Sequence, residues 1–534
     1  MYYASRLHTS QRRAQTTSQI TPGPPNIVQN TGKHRSCVVK STFSPDKAYL
    51  TWFTTLTRIP HESRNERQLS DFLVSFAKER GLEVTQDAIG NILIRKPGTR
   101  GMENAPAVIL QGHMDMVCVK DEGLDFDFSK DPLNLVVEGD SLHAEGTTLG
   151  ADNGIALAYI LTVLDSSDIP HPPLEAVVTV QEEVGMGGAH AFDASLLTAS
   201  AFINMDSEDE GVFCVSCAGG RRSQMHIPAV TAEVASLEEH DAYAFRRITV
   251  SGLAGGHSGL EIIKERGNSN KLLARVLDDP RQKFPCRLIS LLGGTATNAI
   301  PRESSAVVLI RAEDEDIRRE LDARAAVFRH ELRGADGAGL TITLEEAESS
   351  PVMLSEKTEE NVLAAALLMP DGIASMDMNI TSQRLVESSN NFAMIRMEKE
   401  EIVLHCQTRS SVSSKKDAIC RQIAVLGSMV GGRVEYFGDY PAWEYNPDSR
   451  LQSVFCRAYE ELFHKTAKVE GIHAGLECGL FAEKFKKLGH DMDFIAFGPN
   501  VTGAHSTKET LSLSSAENTW KLLLDVLRRL GEQG

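Results

Sequence analysis

The order of hydrophobic periodicities along the chain predicts an α/β domain interrupted by a large α+β insertion. Three observations carry the prediction. Between residues 46 and 222 short apolar strands alternate with amphipathic helices, the texture of a layered sheet with parallel members. Between 223 and 431 helices alternate with groups of strands in two successive rounds, the texture of antiparallel α+β units. From 432 to 534 the α/β texture returns, so the first domain resumes after the insertion.

Taken in order, residues 48–57 and 66–80 have apolar residues at helical spacing, the second with Leu69, Phe72, Leu73 and Phe76 on one face. Residues 82–95 alternate like a hairpin around Asp87-Ala-Ile-Gly90. Residues 107–111, 174–181 and 201–206 are short apolar strands, and 153–164 is a helix carrying Ile155, Ala158, Tyr159 and Leu161. In the insertion, 247–250, 288–292, 305–312 and 340–345 read as strands, with helices at 270–277 and 317–332. The second round has helices at 361–368 and 415–429 and strands at 380–386, 392–397 and 402–408. Helix 451–463, strand 493–497 and helix 514–530 complete the resumed domain.

Residues 1–45 stand apart from this pattern, with six Lys/Arg, no Asp or Glu, many Ser/Thr and the breaker Pro22-Gly-Pro-Pro25. Such a leader resembles an organellar transit peptide, and equally fits a disordered extension or a misassigned start. The expected location is therefore cytoplasmic, with a mitochondrial or other organelle matrix as the alternative. Nine cysteines without a framework spacing indicate a reducing compartment. Cys214-Val-Ser-Cys217 has no second pair and reads as ordinary strand residues. A net charge of -18 argues against nucleic acid and anionic membranes as partners. No stretch approaches the ~18–20 apolar residues that a membrane helix needs.

The chemistry gathers at strand ends. Gly112-His113-Met114-Asp115 follows one apolar strand, Glu182-Glu183 a second, and Asn204-Met-Asp206-Ser a third. Polar groups just past strand C-terminal ends of an α/β sheet face its crevice. Asp152 precedes a helix, where capping is its plain explanation. His505 sits in a Gly-rich loop, where a lone histidine is usually polar surface. Together these sites offer His113, Asp152, Glu183, Asp206 and His505, oxygen and nitrogen ligands suited to Zn²⁺ or Mn²⁺. Five ligands fit two metals if Asp152 bridges, with His113 and Asp206 on one ion and Glu183 and His505 on the other. Glu182 is then left over as the general base for an activated water.

These motifs, in this order, resemble the five-part signature of the M20 metallopeptidases. Thr148-Leu-Gly-Ala-Asp152-Asn-Gly, Cys217-Ala-Gly-Gly, Gly255-Gly-His257-Ser-Gly, Asn268-Ser-Asn-Lys, Asn298-Ala-Ile-Pro-Arg-Glu, Tyr440-Pro-Ala-Trp, Asn446-Pro-Asp-Ser and His473-Ala-Gly-Leu-Glu-Cys-Gly narrow the resemblance to the aminoacyl-histidine dipeptidases. It runs from about residue 45 to the end. It implies a two-zinc aminopeptidase-like catalytic domain interrupted by an α+β lid of two ferredoxin-like units, with Mn²⁺ or Co²⁺ as possible substitutes for the zinc. It further implies that Asp115 orients His113, that the peptide from Asp152 to Asn153 is cis, and that His257 reaches from the lid to the scissile carbonyl. Asn298 and Arg409 are implied as substrate anchors, Arg409 for a dipeptide carboxylate. Gly187 departs from the family, which often carries an acidic residue there.

The expected activity is hydrolysis of dipeptides, Xaa-His among them. The rival within the same chemistry is a deacylase or carboxypeptidase acting on N-acyl amino acids, and a remote rival is an inactive metal-binding scaffold. No Walker sequence or G-x-S-x-G elbow is present. The two lid units would either form a homodimer interface or pack on each other in a monomer.

Overall fold

The computed structural model describes residues 47–380 and 383–532, so the basic leader lies outside the described residues. The α/β part is built on an eight-stranded sheet. Its strand order is Glu83–Gln86, Ile92–Lys96, Leu174–Thr179, Val108–His113, Ala201–Asn204, Asp493–Ala496, Val212–Cys217, Lys468–Ile472. The four strands from Leu174–Thr179 to Asp493–Ala496 run parallel to one another. Their registers align His113 with Thr179, and Gln111 and Ala496 with Asn204, so the segments bearing His113, Glu183 and Asp206 leave from one edge of the sheet.

Val108–His113 and Leu174–Thr179 are buried along their whole length, which explains their unbroken apolar runs. Val108 and Leu110 pack toward helices Ala48–Leu56, Ala151–Asp165, Arg450–Phe463 and Leu513–Glu532. Ile109 packs on the opposite face with Phe481 and Phe485 of helix Glu477–Leu488. Cys214 and Cys217 lie in strand Val212–Cys217 with free thiols. Among the described residues no helix is long and apolar enough to cross a membrane.

The inserted part is one nine-stranded sheet containing two βαββαβ units. The outer unit opens with strand Gly219–Pro228. The whole inner unit follows before the outer one continues: strand Ala244–Ser251, helix Ser269–Lys283, strands Cys286–Gly293 and Ser304–Ile310, helix Asp314–Glu331 and strand Thr341–Glu346. The outer unit then resumes with helix Glu356–Leu368, strands Val386–Met397 and Glu401–Ser410, helix Ser413–Met429 and strand Arg433–Tyr440. The units are therefore nested, and they join where Gly293 pairs with Ile395.

The strand expected at 380–386 is replaced by a loop ending where Val386–Met397 begins, and the added neighbour of that strand is Gly372–Met376. Asp377 explains the break, because its carboxylate accepts the backbone N–H groups of Asn379 and Ile380 at 2.7 and 3.0 Å. The apolar residues of this loop are spent on docking. Ile380 and Leu385 are buried among Val215, Trp443 and Phe494 of the α/β part.

Candidate metal centre

His113 closes its strand fully buried. Its Nδ1 lies 3.0 Å from the Asp115 backbone oxygen and donates there, while Nε2 faces Asp152 Oδ1 at 3.1 Å and Asp206 Oδ1 at 3.4 Å. His505 Nε2 lies 3.2 Å from Asp152 Oδ2 and 3.0 Å from Glu183 Oε1. Asp152 thus presents one oxygen to each imidazole, and all five expected ligands converge. The donor atoms of His113, Asp152 and Asp206 lie within 4.8 Å of one another, as do those of Asp152, Glu183 and His505. His113, Glu182 and Glu183 form a third such group.

The loops are fixed by polar groups beside the ligand cluster that are not themselves among the five candidates. The Asp152–Asn153 peptide is cis. The Asn153 amide oxygen accepts the His113 N–H at 3.2 Å, and its nitrogen donates to the Met205 carbonyl at 2.7 Å and to Asp206 Oδ1 at 3.1 Å. One amide therefore ties three ligand-bearing segments together. The Asp115 carboxylate lies 3.5 Å from His113 Nδ1, farther than its own backbone oxygen. It accepts the backbone N–H groups of Glu182 and Glu183 at 2.9 and 3.2 Å and the Ser63 hydroxyl at 2.8 Å. Glu66 Oε1 accepts the Gln181 N–H at 3.0 Å. Glu509 accepts four N–H groups from Leu149 to Asp152.

Electrostatics at this edge call for added positive charge. Among the described residues no Lys or Arg makes an ion pair with Asp152, Glu183 or Asp206. Burial lowers the affinity of His113 for a proton, yet the carboxylates of Asp206, Asp115 and Asp152 drive its pKa well above the usual range. Hydrogen bonds to Asp152 and Glu183 raise His505 to about 11. Burial raises Asp152, but both imidazoles outweigh it and the net direction is down. Each ring is thus drawn to hold a proton between carboxylates, as expected of an N/O donor set that suits divalent cations. Glu182 behaves differently: burial, with Asp206, Glu477 and Glu183 nearby, pushes it well above the usual carboxylate range.

His257, Asn298 and Arg409 form a second group, on the lid. His257 and Asn298 line a cavity of about 840 Å³ whose lining includes none of the five ligand candidates. The Ser258 N–H donates to the Asn298 backbone oxygen at 2.9 Å, and His257 pairs with Ala299, so His257 and Asn298 sit on paired segments. Gly259 separates His257 from Arg409, and a Cβ there would stand 3.1 Å from each. Arg409 is buried, and its Nη1 donates to the Tyr440 hydroxyl at 2.7 Å. The loop 473–477 runs from this group to the metal-ligand group. His473 Nε2 pairs with the lid hydroxyl of Ser389 at 2.7 Å, and Glu477 accepts from Gln111 and Thr179 at 2.6 and 2.7 Å.

Glu66, Glu477, Tyr440, His473 and Glu509 were not singled out from the chain. His473, Glu477 and Tyr440 lie within motifs that carried the resemblance, which was the available signal. Glu66 and Glu509 have no local pattern that separates them from surface glutamates.

Comparison with known proteins agrees with this architecture. The sequence profile of peptidase family M20/M25/M40 matches residues 109–529, from the first ligand-bearing strand past His505. The cytosol non-specific dipeptidase of Escherichia coli (strain K12) is 37% identical over 481 residues, covering 90% of this chain and 96% of that protein. The crystal structure of aminoacylhistidine dipeptidase from Vibrio alginolyticus matches with a TM-score of 0.84 at 34% identity, covering 91% of this chain and 97% of that one. The aminopeptidase PepT from Bacillus cereus, 16% identical with a TM-score of 0.53, covers 91% of this chain and 98% of its own, and shares the fold. With the ligand-bearing strand ends inside the matched span and near-complete coverage of its relatives, this chain belongs to peptidase family M20/M25/M40.

Proposed function

We propose that this protein is a dipeptidase working with two divalent cations, Zn²⁺ first and Mn²⁺ or Co²⁺ as substitutes, and with Glu182 as the proton carrier. The observation that carries the reading is the division within the Glu182–Glu183 pair. Glu183 meets His505 and Asp152 in a ligand group, whereas among the described residues nothing hydrogen-bonds the Glu182 carboxyl. His113 and Asp206 would hold one cation, Glu183 and His505 the other, with Asp152 serving both, and such a pair would supply the Lewis acidity that acidifies water and polarises a scissile carbonyl. Glu182 takes the proton of the attacking water and returns it to the leaving amine. Asp115 holds the backbone that aims Glu182.

The lid supplies orientation. His257 Nδ1 accepts the N–H groups of Gly259 and Leu260 at 3.3 and 3.1 Å, which leaves the proton of the neutral ring on Nε2. Burial and the Arg409 charge lower its pKa, supporting that neutral form. Closure of the lid brings this N–H to the carbonyl oxygen as negative charge develops there. Arg409 supports recognition of a free α-carboxylate: it is buried, its Nε has no partner among the described residues, and it makes no ion pair there. Asn298 is assigned to the same substrate-facing wall.

The test is a substrate panel on metal-stripped protein reloaded with Zn²⁺, Mn²⁺ or Co²⁺, comparing β-Ala-His, Gly-Gly and an N-acetyl amino acid. Turnover of the dipeptides with little of the N-acetyl compound is expected. Preference for the N-acetyl compound would make this a deacylase, and inactivity with every metal would leave only a metal-binding scaffold.

A further inference from the structure

The geometry points to Glu509 as the positioning residue that locks the Asp152 loop to the His505 loop, and so builds the half of the metal centre lying between Asp152, Glu183 and His505. Glu509 is buried, and its carboxylate collects the N–H groups of Leu149 and Gly150 on Oε2 at 2.8 and 3.1 Å. Those of Ala151 and Asp152 fall on Oε1 at 2.7 and 3.3 Å. These amides open helix Ala151–Asp165, and the left-handed turn at Gly150, with φ +67°, swings them into one concavity. A local Ser or Asn would suffice to cap a helix. Here the acceptor comes from the far end of the chain, beyond the lid insertion.

What that distance achieves is visible on the second loop. Val501–Thr502 pairs with Thr510–Ser512 as a short hairpin, closed by bonds from the Ser506 hydroxyl to the Gly503 carbonyl at 2.6 Å and from the Glu509 N–H to the Ser506 carbonyl at 3.1 Å. His505, itself at φ +60°, projects from this turn, and Glu509 closes its base. A single carboxylate therefore fixes the backbone of Asp152 relative to that of His505, whose side chains meet at 3.2 Å. The side-chain contact of Asp152 with His505 alone leaves the backbones of the two loops free to shift, and the Glu509 carboxylate ties those backbones directly. Glu509 touches neither substrate nor metal ligand side chains, and acts through the backbone alone.

This inference rests on the two-metal reading, and the experiment separates the two. Glu509→Gln keeps the shape but sets an amide N–H₂ against backbone donors. In the full-length metal-stripped protein it should lower the metal-free melting midpoint, because buried backbone donors lose an acceptor. Titration with Zn²⁺ against a chromophoric chelator should show one of two ions bound ~10–100-fold more weakly, the cost typical of losing an outer partner of a metal site. Saturating metal should then restore kcat with little change in KM. Glu509→Asp, which keeps the charge, should recover part of the affinity. Two ions bound with wild-type affinity by Glu509→Gln would overturn the proposal, even with a lowered metal-free midpoint. Should Glu509→Gln fail to fold, hydrogen exchange on the wild type decides: amides 149–152 exchanging at open-loop rates overturn the clamp, and protected amides support it. A wild type that takes up fewer than two ions refutes the two-metal reading, while the exchange measurement still tests the clamp.

Discussion

Glu182 and Glu183 are neighbours in the turn past strand Leu174–Thr179, and each brings a carboxylate oxygen within 4.8 Å of a His113 ring nitrogen. Their environments still differ: Glu183 also meets His505 and Asp152, whereas burial, with Asp206 and Glu477 adding to it, outweighs His113 and pushes Glu182 toward its neutral form. Glu182→Gln keeps the volume and removes the proton carrier, so kcat should fall by ~10²–10⁴ while elemental analysis still finds two metals per chain. Loss of metal in this variant would make Glu182 a ligand, which the grouping of its donor atoms with His113 and Glu183 leaves geometrically open. At this scale His113, Glu183 and Asp206 were legible as candidate ligands because each follows an apolar run, whereas Asp152 and His505 stood out only once the five were taken together. Glu509 and Glu66 were not legible, since what marks them is a set of backbone donors brought up by tertiary structure. Asp115 was legible as a partner of His113, but its hold on the Glu182–Glu183 backbone depends on how two parallel strands align.

At the scale of the elements, the strand Val108–His113 works because its penultimate residue has no side chain. A Cβ on Gly112 would fall 2.4 Å from the Asn153 amide oxygen and 3.1 Å from the Ala156 methyl. That amide ties the His113, Asp152 and Asp206 segments, so helix Ala151–Asp165 can sit this close only over glycine. Gly112→Ala should therefore cost about 1–3 kcal/mol in the metal-free protein, the usual range for overpacking, and should also weaken metal binding. Thermal melts with and without Zn²⁺ separate the two effects, and a variant with wild-type melting and metal uptake would show that Asn153 has room to move. Most helices and central strands were legible from periodicity, because burial on one or both faces writes it. The apolar residues at 380–386 misled for the same reason: their burial is against the α/β part, in a loop shaped by Asp377.

At the scale of the molecule, the interruption of one domain by another was legible as a change of texture, but the nesting of the lid units was not. Which strand pairs with Gly219–Pro228 is settled by partners from 401 to 440, and no local pattern records so distant a pairing. The lid and the α/β part meet at His473, whose ring reaches Ser389 on a lid strand while its loop continues to Glu477, which accepts from Thr179 at the sheet edge where the candidate ligands gather. Burial, with the Arg409 charge adding to it, lowers the His473 pKa from 6.5 to about 3. The folded protein thus refuses a proton that the unfolded chain accepts below pH 6.5, so the neutral ring's contribution is complete above that pH and is lost as pH falls toward 3. Between pH 7.5 and 5.0 this one group should remove about 2 kcal/mol of stability. His473→Gln cannot titrate, so the stability difference between wild type and variant, read from urea midpoints, should shrink by that amount over the same interval. A difference that stays constant from pH 7.5 to 5.0 would mean that His473 takes up its proton as readily in the folded protein as in the unfolded chain, and that the junction between lid and α/β part tolerates a second positive charge beside Arg409.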